Sequence, residues 1–264
     1  MDICTDEKPL KIIEYTIWPL KTILSDHFYH YTPFKIQNIL LDNLPTLNQL
    51  KETLGDNLID FSCYPKDNNT SIINEFSGNP INCDHVQLKL SDYIDAMYSL
   101  ELQGNNSHYL HNLDFNMYLA QYCLFNNDDT NNSPCQSLHN NDLFTIPTEL
   151  IATELKIEVV NTWMNMFPVK SSLHYDAYHN ILIVLQGLKT IKLISPEYTP
   201  FLSPHPCTNT APNHSNLTSI DLKTSYFSSR VPCFDVTLSA GEALFIPGMR
   251  CILTHTHMLY SLTY

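Results

Sequence analysis

The sequence predicts a mainly β chain with helical support in its N-terminal part. Three observations carry this. Phe234-Asp235-Val236-Thr237-Leu238 alternates apolar and polar residues, as Leu155, Ile157 and Val159 alternate with Lys156 and Glu158. That period of two is the signature of a half-buried strand. Ile181 to Leu185 is an unbroken apolar run, punctuated by Gly187 and followed by the largely alternating Thr190 to Ile194, the pattern of a buried hairpin. In contrast, Leu47, Leu50 and Leu54 fall at i, i+3 and i+7 between Pro45 and Gly55, the pattern of a short amphipathic helix with glycine at its stop.

Taken in order, the first forty residues are aromatic-rich and carry no clear period. After the helix ending at Gly55, residues 57–65 read as a strand leading into a polar loop, Lys66 to Asn82. Ser91 is placed to cap a second helix with Ile94, Met97 and Tyr98 on one face. His108 and His111 stand at i, i+3, the spacing of a helical metal pair, but Gly104 and the asparagines around them mark a loop. Tyr118 to Tyr122 has strand character, and Asn126 to Asn141 is a polar stretch without a core pattern. Beyond Leu155 the pattern is β, interrupted by Ser195 to Arg230. Five prolines in the first half of that segment argue against helix or central strand. Ala240-Gly241-Glu242 reads as a turn and Ala243 to Ile246 as a buried strand ending at Pro247. Residues 1–112 are expected to form a support region and 113–264 the β region, the two making one structural unit.

Bulk properties narrow the function classes. The 264 residues, 44% hydrophobic, suffice for one substantial core. The formal charge is −13, from 27 acidic and 14 basic residues. Such a balance argues against binding a phosphate backbone and suits a basic peptide partner. The eight cysteines are scattered singly without a C-x-x-C pair, so neither a zinc finger nor a disulfide framework is indicated. Met1 to Glu7 is acidic and lacks an apolar core, and no apolar run reaches membrane-span length. A reducing cytosolic or nuclear location is expected.

The chemistry-bearing stretch is Ser171-Ser172-Leu173-His174-Tyr175-Asp176, with Asn180 and Lys189 following. Side chains two apart on a strand share a face, so His174 and Asp176 would present one imidazole and one carboxylate together. With a second histidine from elsewhere, that is the donor set of non-haem Fe(II) sites. Tyr118-Leu119-Ala120-Gln121, Asn161-Thr162-Trp163, Ser171-x-x-His174-x-Asp176, Asn180, Gly187-x-Lys189 and Gly241-Glu242-Ala243-Leu244-Phe245-Ile246-Pro247 occur in that order. Together they resemble the JmjC-domain oxygenases of the small cupin type, in the asparaginyl and arginyl hydroxylase branch. The likeness runs from about Tyr118 to Pro247.

The resemblance implies a double-stranded β-helix (jelly-roll) and an Fe(II)- and 2-oxoglutarate-dependent dioxygenase that hydroxylates or demethylates a protein side chain. It implies metal ligation by His174 and Asp176, and capture of the distal co-substrate carboxylate by Lys189. Ser171, Asn180 and Tyr118 are then co-substrate contacts, Trp163 lines the substrate side, and His179, of opposite parity to His174, is structural.

The departure from the family pattern follows Pro247. Members carry their second histidine five residues beyond that proline, where this chain has Ile252; a one-residue deletion would put Cys251 there. Three accounts stay open. His255 or His257 substitutes as ligand; the chain is a catalytically impaired, peptide-binding module on the same fold; or the closing segment was altered by splicing or a shifted frame.

Overall fold

The computed structural model describes residues 12–17, 21–39, 44–65, 75–76, 84–103, 108–126, 157–217, 227 and 230–263. Most of the Lys66–Asn82 and Asn126–Asn141 loops, and Leu155, lie outside the described residues.

The N-terminal part holds β1 (Ile13–Tyr15), α1 (Lys21–Tyr29), β2 (Phe34–Ile36), α2 (Leu47–Leu54), β3 (Leu58–Pro65), β4 (Glu75–Phe76), β5 (Asp84–Lys89) and α3 (Leu90–Gln103). Helix α2 forms where the leucine spacing predicts, with Leu47, Leu50 and Leu54 buried. Thr46 and Gln49 close a capping box at its start, satisfying two otherwise orphaned N–H groups. Gly55 does end the helix, but in the right-handed region, its N–H still bonded to the Lys51 carbonyl. The stop therefore needs no left-handed glycine. Helix α3 begins at Leu90, so Ser91 stands inside the first turn rather than at the cap. Ile94 and Met97 are fully buried, as their spacing predicts.

Strand β6 (Phe115–Asn126) then leads to β7 (Val159–Asn165), β8 (Val169–Ser171), β9 (His174–Tyr175), β10 (Asn180–Ile194), β11 (Cys233–Ser239), β12 (Glu242–Ile246) and β13 (Cys251–Thr263). Two expectations are corrected here. The strand anticipated from Leu155 starts at Val159, and Val160, Thr162, Met164 and Asn165 are its buried positions, Val159 being only partly buried. Polar neighbours at 156 and 158 suggested the opposite parity, whereas the packed N-terminal region selects the even face. The second correction is that Ile181 to Ile194 is one bent strand rather than a hairpin. Gly187, at φ 88°, sits where the β10–β13 ladder shifts register, so the chain bulges and keeps its direction.

The strands form one sheet in the order β1-β2-β12-β10-β13-β7-β6-β3-β5, with β11 on β10, β8 and β9 on β13, and β4 on β8. Strand β10 pairs with β12 through its first half and β11 through its second, while β13 follows it throughout. This mainly β, rolled arrangement agrees with the jelly-roll expectation. Alternation divides the core. Ile181, Ile183, Ala243, Phe245, Tyr260 and Leu262 pack against the N-terminal region. Their neighbours Leu182, Val184, Leu244 and Ile246 join Ile191, Leu193, Val236, Leu238 and Ile252 inside the roll. Cys251 and Leu253 face the third cluster, beneath the excursion that follows β10. The excursion is irregular where described, opening with a short 3-10 helix, Pro196–Phe201. The Tyr260 hydroxyl donates to the Pro45 carbonyl at 2.6 Å and ties β13 to the segment entering α2. Among the described residues no helix is long and apolar enough to cross a membrane.

Candidate functional site

Strand β9 is two residues long and lies on β13, with His174 opposite Ile252 and Tyr175 opposite Cys251. Residues directly opposite on paired strands share a face. The side chain beside His174 is therefore Ile252, 4% exposed and part of the apolar interior of the roll. Cys251 points the other way. The register thus puts Ile252, not Cys251, beside His174, and the group there is purely aliphatic.

His174 Nδ1–H donates to the Ser172 carbonyl at 2.7 Å. That bond fixes the ring orientation with Nδ1 as donor, the arrangement that holds Nε2 ready for a metal. The Asp176 carboxylate accepts from Asn180 Nδ2 at 2.9 Å. Asn180, expected as a co-substrate contact, here orients Asp176. Ser171 Oγ likewise accepts from the backbone N–H and the hydroxyl of Thr254, at 3.0 and 2.9 Å. It fastens β8 to β13.

Lys189 stands within β10 opposite Leu238 and Thr256, and is 6% exposed. Burial pushes its ammonium down to about 8, an effect the negative charge of Asp176 partly offsets. No carboxylate forms an ion pair with Lys189 among the described residues. Its Nζ instead lies 5.6 Å from the centre of the Trp163 ring. Trp163 is held by an Nε1–H bond to Thr263 Oγ1 at 3.1 Å, and its ring is 6.1 Å from that of Tyr118. Tyr118 is buried, which raises its phenol above the ordinary range. Trp163, anticipated on the substrate side, is therefore grouped with Lys189 and Tyr118. A buried cation faced by an aromatic wall is costly unless an anion joins it.

The remaining histidines sort clearly. His111 is buried in the 3-10 turn Tyr109–Asn112 and donates from Nε2 to the Ala96 carbonyl, pinning that turn to α3. His179 Nδ1 accepts from the Gly248 N–H and packs near Tyr31 and Phe245; burial lowers its basicity. Backbone positions of His255, opposite Lys170 and Thr190, are clear, but the side chains of His255 and His257 lie outside the described residues. One residue escaped the sequence reading altogether. His214, in the proline-rich excursion, bridges to His174 and stacks on its ring at 5.2 Å. Burial, with His174 and His205 alongside, pushes its imidazole down to about 4. Nothing in its local sequence signals this; only the return of the excursion over β9 brings it there.

His174 Nε2 and the Asp176 carboxylate suit a divalent metal, but Ile252 supplies no donor. Among the described residues no three His, Cys, Asp or Glu side chains are gathered around one point. The usual three-ligand iron set is therefore not met at its usual positions.

Two relatives bear on the family. Over 138 residues the chain is 36% identical to a protein of Arabidopsis thaliana named lysine-specific demethylase JMJ31, covering 50% of this chain and 24% of that one. Over 178 residues it is 29% identical to JmjC domain-containing protein D of Dictyostelium discoideum, covering 57% of this chain and 38% of that protein. The matches thus span well under half of either relative. The family described as Cupin-like domain matches residues 21–250. This chain belongs to the cupin-like JmjC family. Within the JmjC domain, the matched span contains His174, Asp176 and Lys189 and stops two residues short of Ile252.

Proposed function

We propose that this JmjC domain binds 2-oxoglutarate through Lys189 and a metal through His174 and Asp176, and directs them at a protein side chain. The observation that carries the reading is Lys189, a buried ammonium with no ion-pair partner among the described residues, on the same roll as the His-x-Asp pair. When bound, the metal and 2-oxoglutarate supply the oxidising power for a C–H bond, as in side-chain hydroxylation of the asparaginyl or arginyl kind or in removal of an N-methyl group. The chain's own groups supply charge and position. Lys189 neutralises the distal carboxylate, Trp163 and Tyr118 wall that end off from water, and Asn180 aims Asp176. A protein substrate is consistent with the name of the Arabidopsis relative and with a net charge of −13. A cytosolic or nuclear setting goes with it.

A second reading, a peptide-binding module without turnover, is favoured by Ile252 alone. Calorimetric titration with 2-oxoglutarate and Zn(II), an inert substitute for iron, tests the first. Binding that depends on Lys189 and on His174 supports it. A parent protein that binds neither would leave only the peptide module.

A further inference from the structure

Beside β9, three distant parts of the chain meet at the rim of the roll and leave large side chains in water. Tyr31, Tyr178 and Met249 are 51%, 75% and 47% exposed. One such residue alone is ordinary, whereas a joined group of them marks a contact surface. Backbone bonds join these. Met249 N–H donates to the Asp176 carbonyl at 2.7 Å, Gly248 N–H to His179 Nδ1 at 3.2 Å, and Arg250 Nη2 to the Tyr31 carbonyl at 3.1 Å. The Tyr31 ring lies 5.2 Å from that of His179, the residue after Tyr178. Only glycine permits the approach at 248, because a Cβ there would stand 2.7 Å from the Ala177 carbonyl oxygen. The turns that follow α1, β9 and β12 thus form one platform.

Two of its three large side chains are held at a conformational cost. Tyr31, at φ 53°, and Met249, at φ 63°, lie in the left-handed region that suits glycine. Burial in the core does not offset that strain, since both side chains stay about half exposed. Backbone strain of this kind accompanies binding surfaces. The chemistry of the platform narrows what it binds. Tyrosine faces attract cations, and a methionine thioether adapts its shape to what lies on it. Asp26, in the last turn of α1, and Glu197, in the 3-10 helix Pro196–Phe201, add exposed carboxylates nearby. Arg250 does not present its charge there: it is buried, turned onto the Phe234 ring at 5.5 Å and within the field of Glu197. The whole chain carries −13.

We infer that Tyr31, Tyr178 and Met249 form a docking platform for a lysine- or arginine-rich peptide, whose cationic side chains lie against the two tyrosine rings. Through the bond from Met249 to Asp176 the platform adjoins the His-x-Asp pair, so a peptide held there passes beside that pair. The inference rests on the proposal that the site acts on a protein side chain, and it adds which residues around that side chain are recognised.

The probe is a peptide that alternates glycine with arginine and lysine, blocked at both ends; its control has glutamine at every cationic position. Carbon-13 labels on the tyrosine rings and methionine methyls of the whole chain report where each peptide lies. The basic peptide should shift Tyr31, Tyr178 and Met249, and the glutamine peptide should not. Tyr178→Ala and Tyr31→Gly should each weaken binding about two- to fivefold, whereas Tyr178→Phe, which keeps the ring face, should bind like the parent. Glycine suits φ 53°, so Tyr31→Gly removes the ring without straining the fold. Equal binding of the glutamine peptide, unchanged affinity in both folded variants, or no binding of the basic peptide overturns the inference. Ring shifts that follow protein concentration rather than added peptide assign the platform to a second copy of the chain, and overturn it as well. Neither metal nor 2-oxoglutarate enters these titrations, so any of those results leaves the Lys189 and His174 reading to its own Zn(II) test.

Discussion

Lys189 is the residue on which the binding properties turn. Its ordinary pKa of 10.5 falls to about 8 on burial, so between those values the unfolded chain holds a proton that the folded chain has released. Lys189 therefore contributes a stability that rises with pH from about 8 to 10.5. Binding runs the other way, since a dicarboxylate needs the charged form. Affinity for 2-oxoglutarate should fall as pH passes through 8, and calorimetry at pH 9 should show proton uptake on binding. Replacing Lys189 by alanine should cost about 2–4 kcal/mol of that affinity, measured by titration with Zn(II) present. An unaltered titration would detach Lys189 from the ligand. Ile252 gives a second residue-level expectation. Ile252→His should raise Co(II) affinity, read from the visible spectrum of the bound ion, because position 252 faces His174 across the ladder.

Single elements show what sequence could and could not disclose. The Leu47-Leu50-Leu54 spacing fixes α2 because a two-turn stripe is local, needing no partner to be recognised. Thr46→Ala should accordingly lower stability by about 1 kcal/mol in denaturant unfolding. The His-x-Asp pair and Lys189 stand out in the sequence because they lie within one short stretch, and what they bind is the proposal made above. Strand β10 was misread because an apolar run, a glycine and an alternating run describe a bulged strand as well as a hairpin; only pairing with β13 decides between them. A side chain at 187 must tolerate φ 88°. Gly187→Val is thus expected to cost on the order of 1–3 kcal/mol, and to disturb Lys189 two residues on. A denaturation midpoint equal to the parent's would show that the bulge relaxes without it. Illegible in principle were the roles of Asn180, Ser171 and His214, whose partners are chosen by tertiary register rather than by neighbours in sequence.

At the scale of the whole molecule, the charge of −13 acts on encounter more than on fold. A lysine- and arginine-rich peptide should associate faster than a neutral one of the same length, and its on-rate should fall as salt rises from 50 to 500 mM, on the scale set by a screening length of about 8 Å at physiological salt. Salt-independent association would assign recognition to apolar contacts instead. The placement of β13 reaches further. It lies between β10 and β7 and carries β8 and β9 besides, so both faces of the roll close on a strand far along the chain. Trp163 meets Thr263 across 100 residues, and Tyr260 meets Pro45 across 215. Until that strand arrives, β10 and β7 each present an unpaired edge, and the apolar interior has one wall missing. Contacts of such span make folding slow and leave the open edges exposed to other copies of the chain meanwhile. The expected outcome in refolding is a slow phase whose yield falls as protein concentration rises, with the N-terminal helices formed before it.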